Sequence, residues 1–347
     1  MALNQTLEVQ LDQSWPASDW QHLTILLAVS GGADSVALAR AMASCQVNGN
    51  GRCLVGHFNH RLRDEQSEQD QVFVERLADQ LEWPCYVGSW ETSERSPDRG
   101  DGLEAAARTA RYDFLRATAE QHGARYIVTA HTWDDQVETI LHNIIRGTGL
   151  RGMSGIPRAR QLSPAVSVMR PMLCISRAEV VKYLESVGQK YCNDHSNRDL
   201  TFTRNRIRHQ LLPLLTADYN RSVRSSLHKL GDLAAGAQQL IDELVDDIYD
   251  RSVTVADPNH ASVEMDSVAG VRLYVVRELF IRLWRELKWP QQAMGFEHWE
   301  RLGSMATSEA ETSDFDLPGG VRADLHGSTL SLSRDPPACN HLSKRSK

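Results

Sequence analysis

Apolar residues in the first half of the chain fall into short runs that alternate with stretches of helical spacing. Leu23–Val29 is such a run and predicts a buried parallel strand, with a helix over Ser35–Cys45 after it. Cys53–Phe58 predicts a second strand, and Val72, Phe73, Leu77 and Leu81 give Asp64–Glu82 one apolar helical stripe. Pro84–Val87, Arg125–Thr129 and the shorter Val166–Val168 complete the strands, with helices over Leu103–His122 and Asp134–Arg146. Glu91–Asp101 is polar, with Pro and Gly, and predicts a mobile loop. Strands alternating with helices imply an α/β fold with a doubly wound parallel sheet. Ligands of such sheets sit beyond the carboxyl ends of the strands, where Ser30, His57 and Thr129–His131 fall.

The pattern changes after Asn193. Ser176-Arg-Ala-Glu179 is a capping box for a helix to about Val187; then Phe202–Leu215, Ser222–Asp250 and Val268–Leu287 all have helical character. Asp314–Leu317, Val321–Leu325 and Thr329–Ser333, separated by glycine turns, predict a small β-meander. The expected division is a catalytic domain over 1–217, a second, mainly helical domain over 218–334, and a frayed tail over 335–347.

Composition narrows this picture. The 347 residues are 41% hydrophobic and 24% charged, with a net charge of -7, which disfavours a wholly basic nucleic-acid binder. Charge is uneven, however: Arg198, Arg204, Arg206, Arg208, Arg221, Arg224 and Lys229 are opposed between them only by Asp199 and Asp218. Such a stripe is either a solvated helix face or an electrostatic footprint for a phosphate backbone. The six cysteines form no C-x-x-C, so reduced thiols are expected. The start of the chain lacks a signal-peptide pattern and no apolar run could span a bilayer; a cytoplasmic location and no membrane partner are expected.

The candidate chemistry begins at Ser30-Gly31-Gly32-Ala33-Asp34-Ser35. A glycine turn between a strand and a helix offers backbone N–H groups and a helix N-terminus to phosphate oxygens, with Ser30 and Ser35 as further donors. The loop has no lysine, so it is not the usual G-x-x-x-x-G-K-[ST] turn. Asp34 would repel bare phosphate and makes sense as a ligand of a phosphate-bridging Mg²⁺. In Thr129–Thr139, His131, Asp134, Asp135 and Glu138 gather an imidazole and three carboxylates, an arrangement that calls for cations such as Mg²⁺ or an amine. Glu104, Arg108 and Arg111 share one helix face, either as a salt-bridge ladder or as an arginine face for phosphate. His57–Arg63 adds two histidines and two arginines. Gly147–Gly152 is a formal G-x-G-x-x-G, but it follows a helix and leads into a stretch that is not helix-like; it reads as a flexible loop.

The hexapeptide Ser30–Ser35 resembles the signature of the PP-loop (N-type) ATP pyrophosphatase superfamily. The ordered set SGGADS, HFNHRLR, LEAAARTARY, TAHTWDDQVET, RGTGLRGMSGI and NDHSNRDLTFTRNRIR is similar to the tRNA(Ile)-lysidine synthase family, over residues 23–210 and more loosely to the meander. The resemblance implies adenylation by ATP of the wobble cytidine in a CAU-anticodon tRNA(Ile). Free L-lysine then displaces AMP. Within that scheme Ser30–Ser35 and His57 would hold ATP, and Asp34 the Mg²⁺. His131 and Arg108 or Arg111 would steady the α-phosphate, and Asp135 and Glu138 would bind the lysine ammonium or take its proton as the amine attacks. Arg204, Asn205, Arg206 and Arg208 would grip lysine or tRNA. The chain resembles the shorter type of this family, without an extra C-terminal domain. Oligomeric state is left open, a homodimer included. Other readings are a PP-loop 2-thiolase, an amide-forming synthetase and an inactive tRNA-binding paralogue. The first lacks paired cysteines here.

Overall fold

The computed structural model describes residues 6–46, 49–61, 64–90, 101–192, 199–305 and 312–335. It divides into two compact units, residues 1–235 and 236–347, with the division inside one long helix rather than at the expected 217/218.

The first unit is built on a six-stranded sheet in the order β3-β2-β1-β4-β6-β5. Its strands are β1 (Ile25–Ala28), β2 (Cys53–Asn59), β3 (Cys85–Ser89), β4 (Tyr126–Val128), β5 (Ala159–Gln161) and β6 (Ser167–Met169). Neighbours run parallel except β5, an antiparallel edge strand absent from the sequence expectation. Helices α1 (Leu7–Ser14), α2 (Ala33–Cys45), α3 (Asp64–Gln80), α4 (Asp101–Gln121), α5 (Trp133–Arg146), α6 (Leu150–Met153) and α7 (Arg177–Ser186) complete the layers. In register, Leu26 lies between Leu54 and Ile127. These three pack with Leu115 of α4, whereas Ile25, Leu27 and Val128 pack with Val36 of α2 and Leu184 of α7. Burial on both faces is why the strands read as solid apolar runs. Strand order reverses direction between β1 and β4, the switch point where a crevice opens.

Past residue 198 the helical character is not uniform. α8 (Thr203–Arg206) runs into a π-helical turn at Ile207–Leu211, then α9 (Leu212–Leu214), then a second π turn at Leu215–Tyr219. Pro213 has no N–H to give the preceding turn, so a regular α ladder cannot run through it. Ile207 and Leu212 pack with Val137 and Leu141 of α5. Helix α10 (Val223–Ser252) follows.

In the second unit, β7 (Val253–Asp257), β8 (His260–Glu264), β9 (Thr312–Leu317), β10 (Val321–His326) and β11 (Thr329–Arg334) form an antiparallel sheet in the order β7-β8-β11-β10-β9. The expected three-stranded meander is thus extended by a hairpin. Helices α11 (Leu273–Glu286) and α12 (Phe296–Met305) add Leu279, Phe280, Leu283, Trp284 and Leu302 to a core with Val263, Ala323 and Leu330. Trp284 meets Trp289 and Trp299 edge-on at 4.9 and 5.4 Å. Among the described residues no helix is long and apolar enough to cross a membrane.

Candidate functional site

The crevice is lined first by the turn between β1 and α2. Gly31 takes φ +90°, a conformation reserved in practice for glycine, and a Cβ there would lie 3.3 Å from Cys192 Sγ. The Cys192 N–H also donates to the Gly31 carbonyl at 2.9 Å, so the turn is tied to the segment after α7. Helix α2 starts at Ala33 with Gly32 as its N-cap, two residues earlier than the sequence suggests. Ser35 explains the early start: its hydroxyl donates to the Gly32 carbonyl at 2.9 Å and accepts from the Ser30 N–H at 3.2 Å. Ser35 therefore braces the turn from within, while Ser30 stays exposed. No side chain caps α2, so its first-turn N–H groups face the crevice, as an anion-binding turn requires.

Asp34 sits in that first turn. One oxygen lies 3.6 Å from Arg177 Nη2; the other, Oδ1, is buried with no hydrogen-bond partner among the described residues. Burial pushes its carboxyl up to about 6; Arg177 opposes that shift and Asp135 adds to it. At the end of β2, the His57 ring is buried, with Nδ1 2.9 Å from the Val29 carbonyl and Nε2 unpartnered among the described residues. Burial holds this imidazole below its ordinary range, hence neutral.

The end of β4 supplies the opposite wall. Thr132, not His131, caps α5; its N–H and hydroxyl donate to Asp135 Oδ2 at 2.9 and 3.0 Å in a capping box. His131 therefore precedes the helix and bonds Thr129 Oγ1 at 2.9 Å. Burial, with Arg170 and Arg108 nearby, holds its imidazole far below the ordinary range and so neutral.

The three carboxylates of α5 already have cations. Arg204 reaches Asp135 at 3.1 Å and Glu138 at 3.2 Å; Arg208 reaches Asp135 at 3.2 Å and Glu138 Oε2 at 2.8 Å. Arg224 reaches Asp134 at 3.0 Å, and the other Asp134 oxygen accepts from the Arg177 N–H at 2.9 Å. The basic stripe is therefore not one exposed face: one buried and two half-buried carboxylates draw three of its cations inward. Arg206 remains exposed and donates to the Leu200 and Thr201 carbonyls; the Asn205 amide donates to the Asp199 carbonyl. Burial lifts Asp135 but Arg204 and the Thr132 N–H outweigh it, holding the carboxyl below its usual range.

Arg108 and Arg111 stand over the Tyr112 ring at 5.1 and 5.6 Å, joined by Arg160 at 5.2 Å. Beside them Arg170, 2% exposed, donates to the Pro157 carbonyl at 2.7 Å. Arg160 and Arg170 carry no signal in the sequence, since a single Arg outside a motif looks like any surface residue; Tyr112 ends the LEAAARTARY stretch and Arg177 sits in the Ser176–Glu179 capping box, but neither spacing marks a site role. The glycine loop contains a single helical turn, α6, where no helix was expected; Gln136 and Asn143 of α5 donate to the Ser154 and Gly152 carbonyls there. Arg198, the 91–100 loop, residues 62–63 and Cys339 lie outside the described residues, as does the Glu104 side chain. The other five cysteines are free thiols.

Comparison with known proteins fits this site. The PP-loop domain family matches residues 3–215. The tRNA(Ile)-lysidine synthase of Rhodopirellula baltica is 32% identical over 334 residues, covering 86% of this chain and 84% of that one. The tRNA(Ile)-lysidine synthase of Bacteroides thetaiotaomicron is 38% identical over 224 residues, covering 63% of this chain and half of its own. Among solved structures, the U34-tRNA thiolase NcsA from Methanococcus maripaludis, with its [4Fe-4S] cluster, superposes with a TM-score of 0.52. It is 12% identical and covers 66% of this chain and 77% of its own, a likeness of fold alone. With the PP-loop model matched across most of the first unit and a relative aligned over most of both lengths, the chain belongs to the tRNA(Ile)-lysidine synthase family of PP-loop enzymes.

Proposed function

We propose that the chain adenylates the wobble cytidine of a CAU-anticodon tRNA(Ile) with ATP and Mg²⁺, then joins L-lysine to that base, releasing pyrophosphate and AMP. The observation that carries this reading is the lysine-free turn whose open helix N-terminus stands beside a buried, half-satisfied carboxylate. Asp34 Oδ1 fits a Mg²⁺ ligand: it is a hard oxygen with no protein partner among the described residues, and Mg²⁺ takes few carboxylates alongside phosphate. When bound there, Mg²⁺ would neutralise charge on the phosphates.

The first-turn N–H groups of α2 and the Ser30 hydroxyl would hold the pyrophosphate portion of ATP, leaving the α-phosphate open to the cytosine O2. His57 Nε2, a neutral acceptor, suits an amino group such as that of adenine. A neutral His131 can donate an N–H to the α-phosphate, where Arg108 and Arg111 would add positive charge. As the O2–P bond forms, the bond to pyrophosphate breaks. The ε-amine of lysine then attacks C2; the C–O bond to AMP breaks with its electron pair leaving on AMP, and the proton shed by the new C–N nitrogen passes to water.

Asp135 is held ionised, which suits binding an ammonium better than taking its proton at neutral pH. Arg204 and Arg208 occupy the places an ammonium would take. Arg204 is the more exposed, 32% against 18%, and would turn toward the anionic substrate as lysine enters. Incubation with ATP, radiolabelled lysine and CAU-anticodon tRNA(Ile) tests the reading. Label in the tRNA supports it; ATP turnover without label refutes it. Asp135→Asn should abolish lysine transfer while sparing adenylation.

A further inference from the structure

A second concave site lies away from the crevice, between α2, α3 and the turn after α7. It encloses about 600 Å³, within the range of small-molecule sites. Arg40, Arg76 and Lys190 converge on it, and no Asp or Glu lines it among the described residues. Arg40 is half-buried and donates to two neutral oxygens, Gln189 Oε1 at 2.6 Å and Gln80 Oε1 at 2.7 Å. Those amides fix the guanidinium without neutralising it. None of the three cations has an ion pair among the described residues. Three positive charges with no ion pair among the described residues, one of them held in a set orientation, face one cavity and make a site for an anion.

Part of the remaining wall, beside Ser44, Gln80 and Gln189, is apolar. Phe73, Leu77 and Tyr183 line it, so a bare inorganic anion would leave apolar surface uncovered. We propose that this pocket is an anion site separate from the Ser30–Ser35 turn, taking a phosphate carried on a nucleoside: the cations hold the phosphate and the Phe73–Tyr183 wall covers the base or sugar. Arg40 lies eight residues beyond Gly32, about 12 Å along α2 at ~1.5 Å per residue, too far for one phosphate to be held by both the turn and Arg40. The source of such a group is either a stretch of RNA, a role that rests on the function proposed above, or a free nucleotide.

The test uses the full chain and two variants, Arg40→Gln/Arg76→Gln/Lys190→Gln and Arg76→Glu/Lys190→Glu. The second leaves the Arg40 amide network intact and guards against misfolding of the first. If RNA fills the pocket, filter binding of tRNA(Ile) across a salt series shows Kd raised about tenfold. The log–log salt slope falls by about one for each phosphate no longer neutralised. If a free nucleotide fills it, 8-azido-AMP photolabels peptides spanning 73–80 or 183–190 in the native chain but not in the variants. Unchanged tRNA affinity and slope, together with no label on those peptides, overturns the proposal. Lysine incorporation at saturating tRNA should be unchanged in both variants; its absence in the native chain would instead overturn the proposed function.

Discussion

Glu138→Gln is the most informative single change. Glu138 is 1% exposed and accepts from Arg204 Nε at 3.2 Å, Arg208 Nε at 2.5 Å and Arg208 Nη2 at 2.8 Å. Neutralising it leaves two guanidinium groups facing the single charge of Asp135 at 3.1 and 3.2 Å. Removing one partner of a buried ion pair costs about 3–5 kcal/mol, because the other charge stays out of water without compensation. Glutamine keeps one acceptor and Asp135 keeps half the countercharge, which places the expected loss near ~3 kcal/mol. Arg208→Gln should cost a similar amount. The double variant should lose less than their sum, by about 2 kcal/mol, since the two groups share one network. Urea unfolding followed by circular dichroism measures all three. A loss below about 1 kcal/mol for Glu138→Gln, or additive losses in the double variant, would refute a quartet held by mutual charge.

Three further perturbations probe separate features. Burial raises Asp34 from 3.8 to about 6, so the folded state holds the extra proton between those values and stability falls as pH rises through that window. Asp34→Asn should therefore melt higher than the native chain at pH 7.5, match it near pH 4, and fail to turn over ATP. Gly31→Ala places a side chain at φ +90° against Cys192 Sγ; we expect about 1–3 kcal/mol of destabilisation and a fall in ATP affinity, read by thermal melting and nucleotide titration. Phe280→Ala opens a cavity where the ring is fully buried; the expected cost is about 3–5 kcal/mol, with ATP binding by the first unit unchanged in a nucleotide titration.

The sheet was readable because β1, β2 and β4 are buried on both faces, which prints itself as unbroken apolar runs. The Ser30–Ser35 turn was readable as a strand-to-helix turn because two glycines separate an apolar run from a helical stretch. The β7–β8 hairpin was not: Val253 follows Ser252 of α10 with no breaker, so its alternation merges with the end of the helix. The partners of the α5 carboxylates were also hidden. Arg204 and Arg208 lie 66 and 70 residues from Glu138, and a run of arginines shows its charge but not what it faces. His131 falls just ahead of α5, and the Thr132-x-x-Asp135 spacing is the signal in the sequence that puts the cap at Thr132.

The π turn at Ile207–Leu211 also limits how the chain can change length. Ile207 and Leu212 are five residues apart, yet both pack against Val137 and Leu141 of α5. An α-helix advances 3.6 residues per turn, so a five-residue step would leave the pair on different faces; the wider π turn brings them together. Deleting the intervening His209 would leave the pair four residues apart, ~400° or little more than one full turn of α-helix, so Leu212 would keep its place against α5. Such a loss trades the π turn for an α turn and keeps the apolar seal beneath the arginines. His209 and Gln210 are both exposed; loss of one should be tolerated, whereas one residue inserted between Ile207 and Leu212 would turn Leu212 away from α5.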